Sequence, residues 1–571
     1  MKHIATDILI LGSGGAGLFA ALHAHRADPS LSITVAVKGL LGKCGCTRMV
    51  QGGYNVALAS EDSIERHFMD TIEGGKWLPD QDLAWKLVTL AIERIRELEN
   101  ELGCFFDRNP DGTVHQKAFA GQTFDRTVHK GDLTGIEIIN RLSEQVWARN
   151  IGRLEEHRAV ELIKSKNQKE IAGVLFIDMR SGEYVFVRAK AILLATGGGP
   201  TMYKYHTPSG DKSCDGLAMA LRAGLPLRDM EMVQFHPTGL YAGTHTRMTG
   251  TVLEEGLRGA GGYLLNGAKE RFMPKYDPKA ERATRDFVSR AMYAEMRKGN
   301  TSPDGGLFIS MGHLNRDLVK KQFRGMVERC ADCGFDLAGG LVEVVPTAHY
   351  MMGGVEFNAD CSTELRGLFV AGEDAGGVHG ANRLGGNGVA NSTVFGAVAG
   401  DVMATWVAKE QMRVPDKDAL EQAIQHCEPK AAKAHGALEP LRERLYEVMW
   451  NKVGIIRDDA GLRSALSELA AIKDELKSCG VADANRAFNL SWHDWLNLNS
   501  LVDTSRAIAE AALARTDSRG AHFREDFPEA GPLESSSYTS LRMENSGLKV
   551  KTKPVAFTRV RPGETLLVRD L

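Results

Sequence analysis

The sequence predicts an α/β molecule: a Rossmann-like parallel-sheet domain, interrupted by a smaller α+β capping domain and followed by a C-terminal helical domain. Three observations carry this reading. The segment "DILILGSGGAGLFAALHAHR" passes from an apolar strand through a glycine turn into an apolar helix. A second apolar strand, Ala191–Ala195, ends far downstream in Thr196–Gly197–Gly198. Beyond residue 415, Leu498, Leu501, Val502, Ala509, Ala512 and Leu513 recur at helical spacing, with Ser505 in the same stripe. A chain of 571 residues has room for two to four domains.

The first strand, Asp7–Leu11, leads into G-x-G-x-x-G at Gly12, Gly14 and Gly17, with Ser13, Gly15 and Ala16 between them, and then into the helix Leu18–Ala24. Gly12 permits the tight turn, Gly14 lets backbone approach a pyrophosphate, and Gly17 lets the helix pack close to the strand. Strand and helix in register make this a dinucleotide-binding signal rather than a chance glycine cluster. The second strand, Ile33–Val37, ends in Lys38, where an acidic residue would grip the ribose hydroxyls of NAD or FAD. That argues against an ordinary NAD dehydrogenase. Gln51–Gly52–Gly53 would bring backbone against a flat ring. Leu83–Leu102 carries apolar residues at Ala84, Leu87, Val88, Ala91, Ile95, Leu98 and Leu102, a helix with one buried face. Residues 155–190 alternate as a β-meander, with turns at Asn167 and Ser181–Gly182.

Composition excludes several classes. A formal net charge of −3 gives no electrostatic reason to expect nucleic acid. Nine cysteines include only two close pairs, Cys44/Cys46 and Cys330/Cys333, so neither a zinc site nor an iron–sulfur cluster is expected and no metal is assigned. Electrons must then leave for oxygen, a small carrier or another polypeptide. The chain runs from Met1 straight into a strand and carries no apolar run near the ~18 residues of a membrane helix. It is expected to be cytoplasmic, without direct membrane insertion.

Chemistry concentrates in five segments where His, Arg and Glu sit among glycines: "QFHPTG" with His236, "EEGLRGAGG" with Glu254, Glu255 and Arg258, "ATRDFVSR" with Arg285, "PTAHYMMGG" with His349, and "AGEDAGGVHGANRLGGN" with Glu373, His379 and Arg383. Glycine-flanked charges suggest loops presenting side chains.

With these segments, and with "DTSRAIAEAALARTDSRGAHFREDFP" near the end, the sequence resembles the succinate dehydrogenase and fumarate reductase flavoproteins, with L-aspartate oxidase a close cousin. The resemblance runs from the first strand to about Pro528. It implies an FAD-binding domain and hydride transfer between flavin N5 and a small dicarboxylate. By the family pattern His236, His349 and Arg383 would bind the two carboxylates. Arg285 would deliver the proton, fed through Glu255 and Arg258. Phe119, in "FAGQ", matches a substrate-side loop. FAD would be held by Gly12–Gly17, Lys38, the loop from Cys46 and Thr47 through Gly53, Ala195–Gly197, Asp215, Glu373 and Gly388–Val389.

Three departures bear on function. Cys46 stands where succinate dehydrogenases carry the histidine that bonds FAD, so a noncovalent cofactor is expected. Glu254 replaces a threonine that would donate to a substrate carboxylate. An ionised glutamate cannot donate, so it is protonated, or turned away, or the substrate differs. Asn387 is followed by Gly388–Val389–Ala390–Asn391 in place of Ser-Leu-Leu-acid, leaving backbone N–H groups to meet the flavin's pyrimidine edge.

The expected domains are 1–232 with 352–410 for FAD, 233–351 for the cap, 411–528 for the helical domain and 529–571 for a β-rich tail that could contact a partner. The expected function is an FAD-dependent oxidoreductase of the CH–CH bond of a dicarboxylate. Its expected partner is an iron–sulfur or other electron-transfer protein, through which any membrane association would run. Two alternatives stay open: an amino-dicarboxylate oxidase, in which Glu254 meets the amine, and an electron-transfer component of a larger complex with an altered substrate site.

Overall fold

A computed structural model describes residues 1–243, 246–429, 438–545 and 547–567. At its centre is a seven-stranded sheet. The strand Lys2–Leu11 runs parallel to Ile33–Ala36 on one side and to Tyr184–Leu194 on the other, with Gly152–Leu154 and Leu368–Val370 extending the parallel part outward. Ile8, Leu9, Ile10 and Leu11 are all buried, as a parallel strand covered on both faces requires. The strands His157–Lys164 and Ile171–Asp178 fold back antiparallel onto Tyr184–Leu194, so the meander turns near Asn167 and Ser181–Gly182 as its alternation predicts.

The helix Gly15–Ala27 follows the glycine turn, and the helix Asn387–Val407 packs against it. Their contact is close because the crossing positions are small: a Cβ on Gly396 would press within 2.5 Å of the Ala16 carbonyl. The helix Gln81–Asn100 buries Ala84, Leu87, Val88, Ala91, Ile95 and Leu98, and its Asp80 cap accepts from the N–H groups of Asp82 and Leu83. Leu102, expected within that helix, lies just past its end and is buried.

Between residues 233 and 351 the chain builds a separate four-stranded antiparallel sheet, ordered Val233–Leu240, Leu341–Met351, Leu307–Ser310 and Tyr263–Leu265. It has its own apolar core, including Leu240, Leu257, Val288, Met292, Ile309 and Val342. Two charged segments read as loops are strands here: His236 and His349 lie on the neighbouring strands Val233–Leu240 and Leu341–Met351. Pro237 disguises the first, and the ladder absorbs it as a register shift between His236 and Gly239.

Four helices follow at Lys417–Cys427, Glu439–Lys452, Asp459–Cys479 and Leu490–Ala514. The last buries Leu498, Leu501, Val502, Ser505, Ala509 and Ala512. The hairpin Ser537–Glu544/Gly547–Pro554 then returns to pair with Leu227–Arg228 beside the central domain. Residues 430–437 of the expected helical domain and 568–571 of the expected tail lie outside the described residues. Among the described residues no helix is long and apolar enough to cross a membrane.

Candidate active site and cofactor cavity

One cavity of about 620 Å³ runs from the glycine turn to the cap. It is lined by Gly12–Ala16, Lys38, Cys46, Thr47, Gln51–Gly53, Phe119, Ala195–Gly197, Asp215, His236, Glu254, Glu255, Arg285, His349, Glu373, Arg383, Gly388 and Val389. Gly17 and Arg258 stand behind its wall, as does His379 of the fifth charged segment.

At the glycine end the backbone fixes the residue types. Gly12 has φ +112°, and a Cβ there would run into the Ala195 carbonyl. A Cβ on Gly17 would strike the Gly12 carbonyl, so this glycine serves helix–strand packing, as its motif position demands. Thr47 Oγ1 accepts from Gly15 N at 3.1 Å, tying the 40s loop to the helix start. Gly14, Gly15 and Ala16 bring the helix N-terminus to the cavity wall, an arrangement suited to phosphate. Ser13 Oγ and Gln51 Oε1 are buried there without partners, which fits a polar cofactor more than an empty packing space.

A carboxylate from elsewhere in the chain stands beside Lys38. Lys38 Nζ donates to Asp215 Oδ2 at 3.0 Å and to Ser213 Oγ at 3.0 Å, and Arg158 Nη2 donates to Asp215 Oδ1 at 2.7 Å. Burial alone would raise the Asp215 carboxyl, but Arg158 and Lys38 outweigh it and hold it well below the usual range. Glu373 is tied to backbone, accepting from Met351 N at 2.9 Å and Gly199 N at 3.2 Å. Burial pushes its carboxyl up. At the far side Gly386 caps the helix Asn387–Val407 without a side-chain bond, so Gly388 and Val389 present a first helical turn to the cavity. Asn387 points away, accepting from Asn55 Nδ2 at 2.8 Å. Cys46 lines the wall, and burial pushes its thiol up to about 12.

The cap end gathers the cations. Arg285, first residue of the helix Arg285–Arg297, donates to Glu255 Oε2 from Nη2 at 2.6 Å and Nε at 3.0 Å. Arg258 Nη2 reaches Glu255 Oε1 at 3.3 Å and its Nη1 the Glu281 carbonyl at 2.7 Å. Burial would raise Glu255, yet Arg285 and Arg258 bring it below the usual carboxylate range. Burial and the neighbouring Arg285 pull Arg383 down to about 10, and its Nε has no partner. His236 and His349 lie with ring centres 5.4 Å apart. Burial first, then Arg285, keeps both well below the ordinary histidine range, so they are neutral. Thr238 N donates to His236 Nδ1 at 3.2 Å, which leaves Nε2 to carry the proton. Phe119 closes this end over Gly52, whose Cβ would strike its ring, and Gly385 permits Phe119, Glu255 and Arg285 to meet. Glu254 is among the lining residues; burial raises its carboxyl while Lys117 beside it pulls the other way.

Several residues escaped sequence reasoning. Gln234 accepts from Arg285 Nη1 at 3.2 Å and donates to the Arg383 carbonyl at 2.7 Å, joining the two arginines. It stood inside "QFHPTG", where the histidine drew attention. Thr207 and Tyr350 also line the cavity: Thr207 Oγ1 lies 2.7 Å from His349 Nδ1, and the Arg383 guanidinium stacks 4.3 Å from the Tyr350 ring centre. The turn-like "TPSG" was the only signal for Thr207.

A phosphate-accepting helix start and a cationic cap pocket in one cavity define a dinucleotide-dependent oxidoreductase. Residues 7–389 match the family described as FAD binding domain, and 442–566 match that described as fumarate reductase flavoprotein C-term. The chain belongs to the succinate dehydrogenase/fumarate reductase flavoprotein family, and is an FAD-dependent oxidoreductase. It is 40% identical over 531 residues, 92% of this chain and 95% of the other, to a subunit of the fumarate reductase (CoM/CoB) of Methanothermobacter marburgensis. It is 32% identical to the fumarate reductase flavoprotein subunit of Haemophilus influenzae, covering 99% of this chain and 96% of the other. A solved E. coli quinol fumarate reductase chain superposes with TM-score 0.92 at 31% identity, covering 99% of both chains.

Proposed function

We propose that the chain interconverts a small dicarboxylate and its unsaturated form, holding FAD noncovalently. The observation that carries this reading is the convergence of Arg285, Arg383, His236 and His349 on one end of the cavity that the glycine turn also lines. FAD, when bound, supplies the two-electron hydride carrier. The Arg383 guanidinium fork suits a carboxylate through paired, charge-assisted hydrogen bonds. The neutral rings of His236 and His349 add N–H groups without competing positive charge. Clamping both carboxylates polarises the carbon–carbon double bond between them, so binding and activation come from the same residues. Arg285 is the proton donor to the second carbon. Glu255, ionised between the two arginines, takes a proton from Arg258 and passes it to the Arg285 that has given one up, and Arg258 is reloaded from solvent. The names of the relatives, as fumarate reductase subunits, support a C4 acid and an electron-transfer partner such as an iron–sulfur protein.

The test is anaerobic re-oxidation of the reduced flavin by fumarate and substituted C4 acids. Arg285→Ala is expected to keep FAD and lose turnover by about 10³-fold, the range of a positioned general acid. Unchanged turnover in that variant would remove Arg285 from the role. Hydrogen peroxide release with aspartate would instead favour an amino-acid oxidase.

A further inference from the structure

One wall of the cavity carries a charge that the carboxylate clamp does not use. Glu254 is 4% exposed and is one of the residues lining the cavity, next in sequence to Glu255. Arg285 and Arg258 do not neutralise it, because both are committed to Glu255. Its cation is Lys117, whose Nζ lies 3.4 Å from Glu254 Oε2. Lys117 ends the short strand Gln116–Lys117, and its Nζ also reaches the Gly131 carbonyl at 3.4 Å and stands 5.8 Å from the Phe119 ring centre. It is not among the residues lining the cavity. Lys117 therefore holds Glu254 by Oε2 from outside the lining, and no donor among the described residues reaches Oε1, which lies beside Gly256.

Burial raises this carboxyl, and the Lys117 ammonium 3.4 Å away favours its ionised form against that; the ionised carboxylate can only accept hydrogen bonds. Opposite a substrate carboxylate it repels. Opposite an O–H or N–H it forms a charge-assisted bond, and a site with such an acceptor rejects the analogue that leaves it unpaired. We propose that Glu254, positioned by Lys117, is a specificity-determining residue. It selects C4 dicarboxylates that carry a hydroxyl or ammonium donor beside one carboxylate over plain diacids. This inference rests on the dicarboxylate reading of the cavity given above.

The experiment titrates the FAD-loaded full chain with succinate, fumarate, L-malate and L-aspartate, reading the flavin absorbance change. Malate or aspartate is expected to bind at least about tenfold more tightly than succinate, the scale on which a donor-reading site discriminates. Tight malate assigns the donor as hydroxyl; tight aspartate assigns it as ammonium. Glu254→Gln offers an amide N–H to a carboxylate, so its preference for the donor-bearing ligand should fall by about tenfold or invert, with succinate tightening. Lys117→Met should shrink the same ratio while leaving the flavin spectrum unchanged. If Glu254→Gln fails to hold FAD, Lys117→Met carries the test alone. A wild-type chain indifferent to the substituent, or variants with the wild-type ratio, overturns the inference and leaves the dicarboxylate reading standing. A chain whose flavin responds to none of the four acids, in wild type and Glu254→Gln alike, overturns both.

Discussion

Cys46 shows how much a single position decides. It lines the cavity where the resemblance places a flavin-bonding histidine, but burial pushes its thiol up to about 12. The thiolate is the nucleophile, and a thiol titrating that high supplies almost none at neutral pH. FAD is therefore expected to pass into the supernatant when the holoprotein is precipitated with acid, measured as supernatant absorbance; flavin that stays with the pellet would show a covalent bond. The residues legible in the sequence were those whose chemistry is local. Gly12 and Gly17 announce themselves because the turn and the packing they serve lie within a few positions. Asp215 was reached by resemblance alone, and its place beside Lys38, 177 positions away, was not legible. Lys117 was missed for the same reason, since its partner Glu254 is 137 positions distant and nothing near "HQKAF" points to it.

At the scale of elements, periodicity gave the long helices and the meander, and failed where proline and glycine interrupt a strand. "QFHPTG" reads as a loop, yet its backbone belongs to the cap sheet and carries His236 into the cavity on a bulged strand. The approach of helix Gly15–Ala27 to helix Asn387–Val407 was equally hidden, because a glycine inside a helix pattern does not say what approaches it. Here a Cβ on Gly400 would run into the Ala20 carbonyl and come within 2.7 Å of His23 Cβ. Both helices present their N-termini to the cavity, so their spacing sets where two rows of N–H groups stand. Gly400→Val is expected to push them apart at a cost of about 1–3 kcal/mol, typical of overpacking a tight contact. Weaker FAD retention on gel filtration, together with a lowered thermal midpoint, would be the measured result. A variant that keeps both at wild-type levels would show that the helices can separate without disturbing the cavity.

The whole molecule is closed by segments that return from far along the chain. The C-terminal hairpin, read only as a β-rich tail, pairs with Leu227–Arg228, and Val560 N donates to Gln81 Oε1 at 3.1 Å. Its β-rich character was legible, but its docking edge was not, because pairing partners some 310 residues apart leave no pattern in either segment. Such thorough closure buries histidines that cannot take up protons while the fold persists. Burial holds His236, His349, His379 and His522 well below the ordinary range, with nearby arginines adding to the effect. The unfolded chain binds protons on these rings near pH 6.5, while the native chain does not. Stability from each ring is thus complete above that pH and is lost as pH falls below it, at up to about 1.4 kcal/mol per pH unit. His522 lies outside the cavity and accepts from Arg457 Nη1 at 2.8 Å, so His522→Gln keeps an acceptor in place and removes one titrating ring. Between pH 7 and pH 5.5 the variant is expected to lose about 1 kcal/mol less stability than the parent in urea unfolding. Parallel losses in the two proteins would mean that His522 is already protonated in the native state, paired with an acid rather than held neutral among arginines.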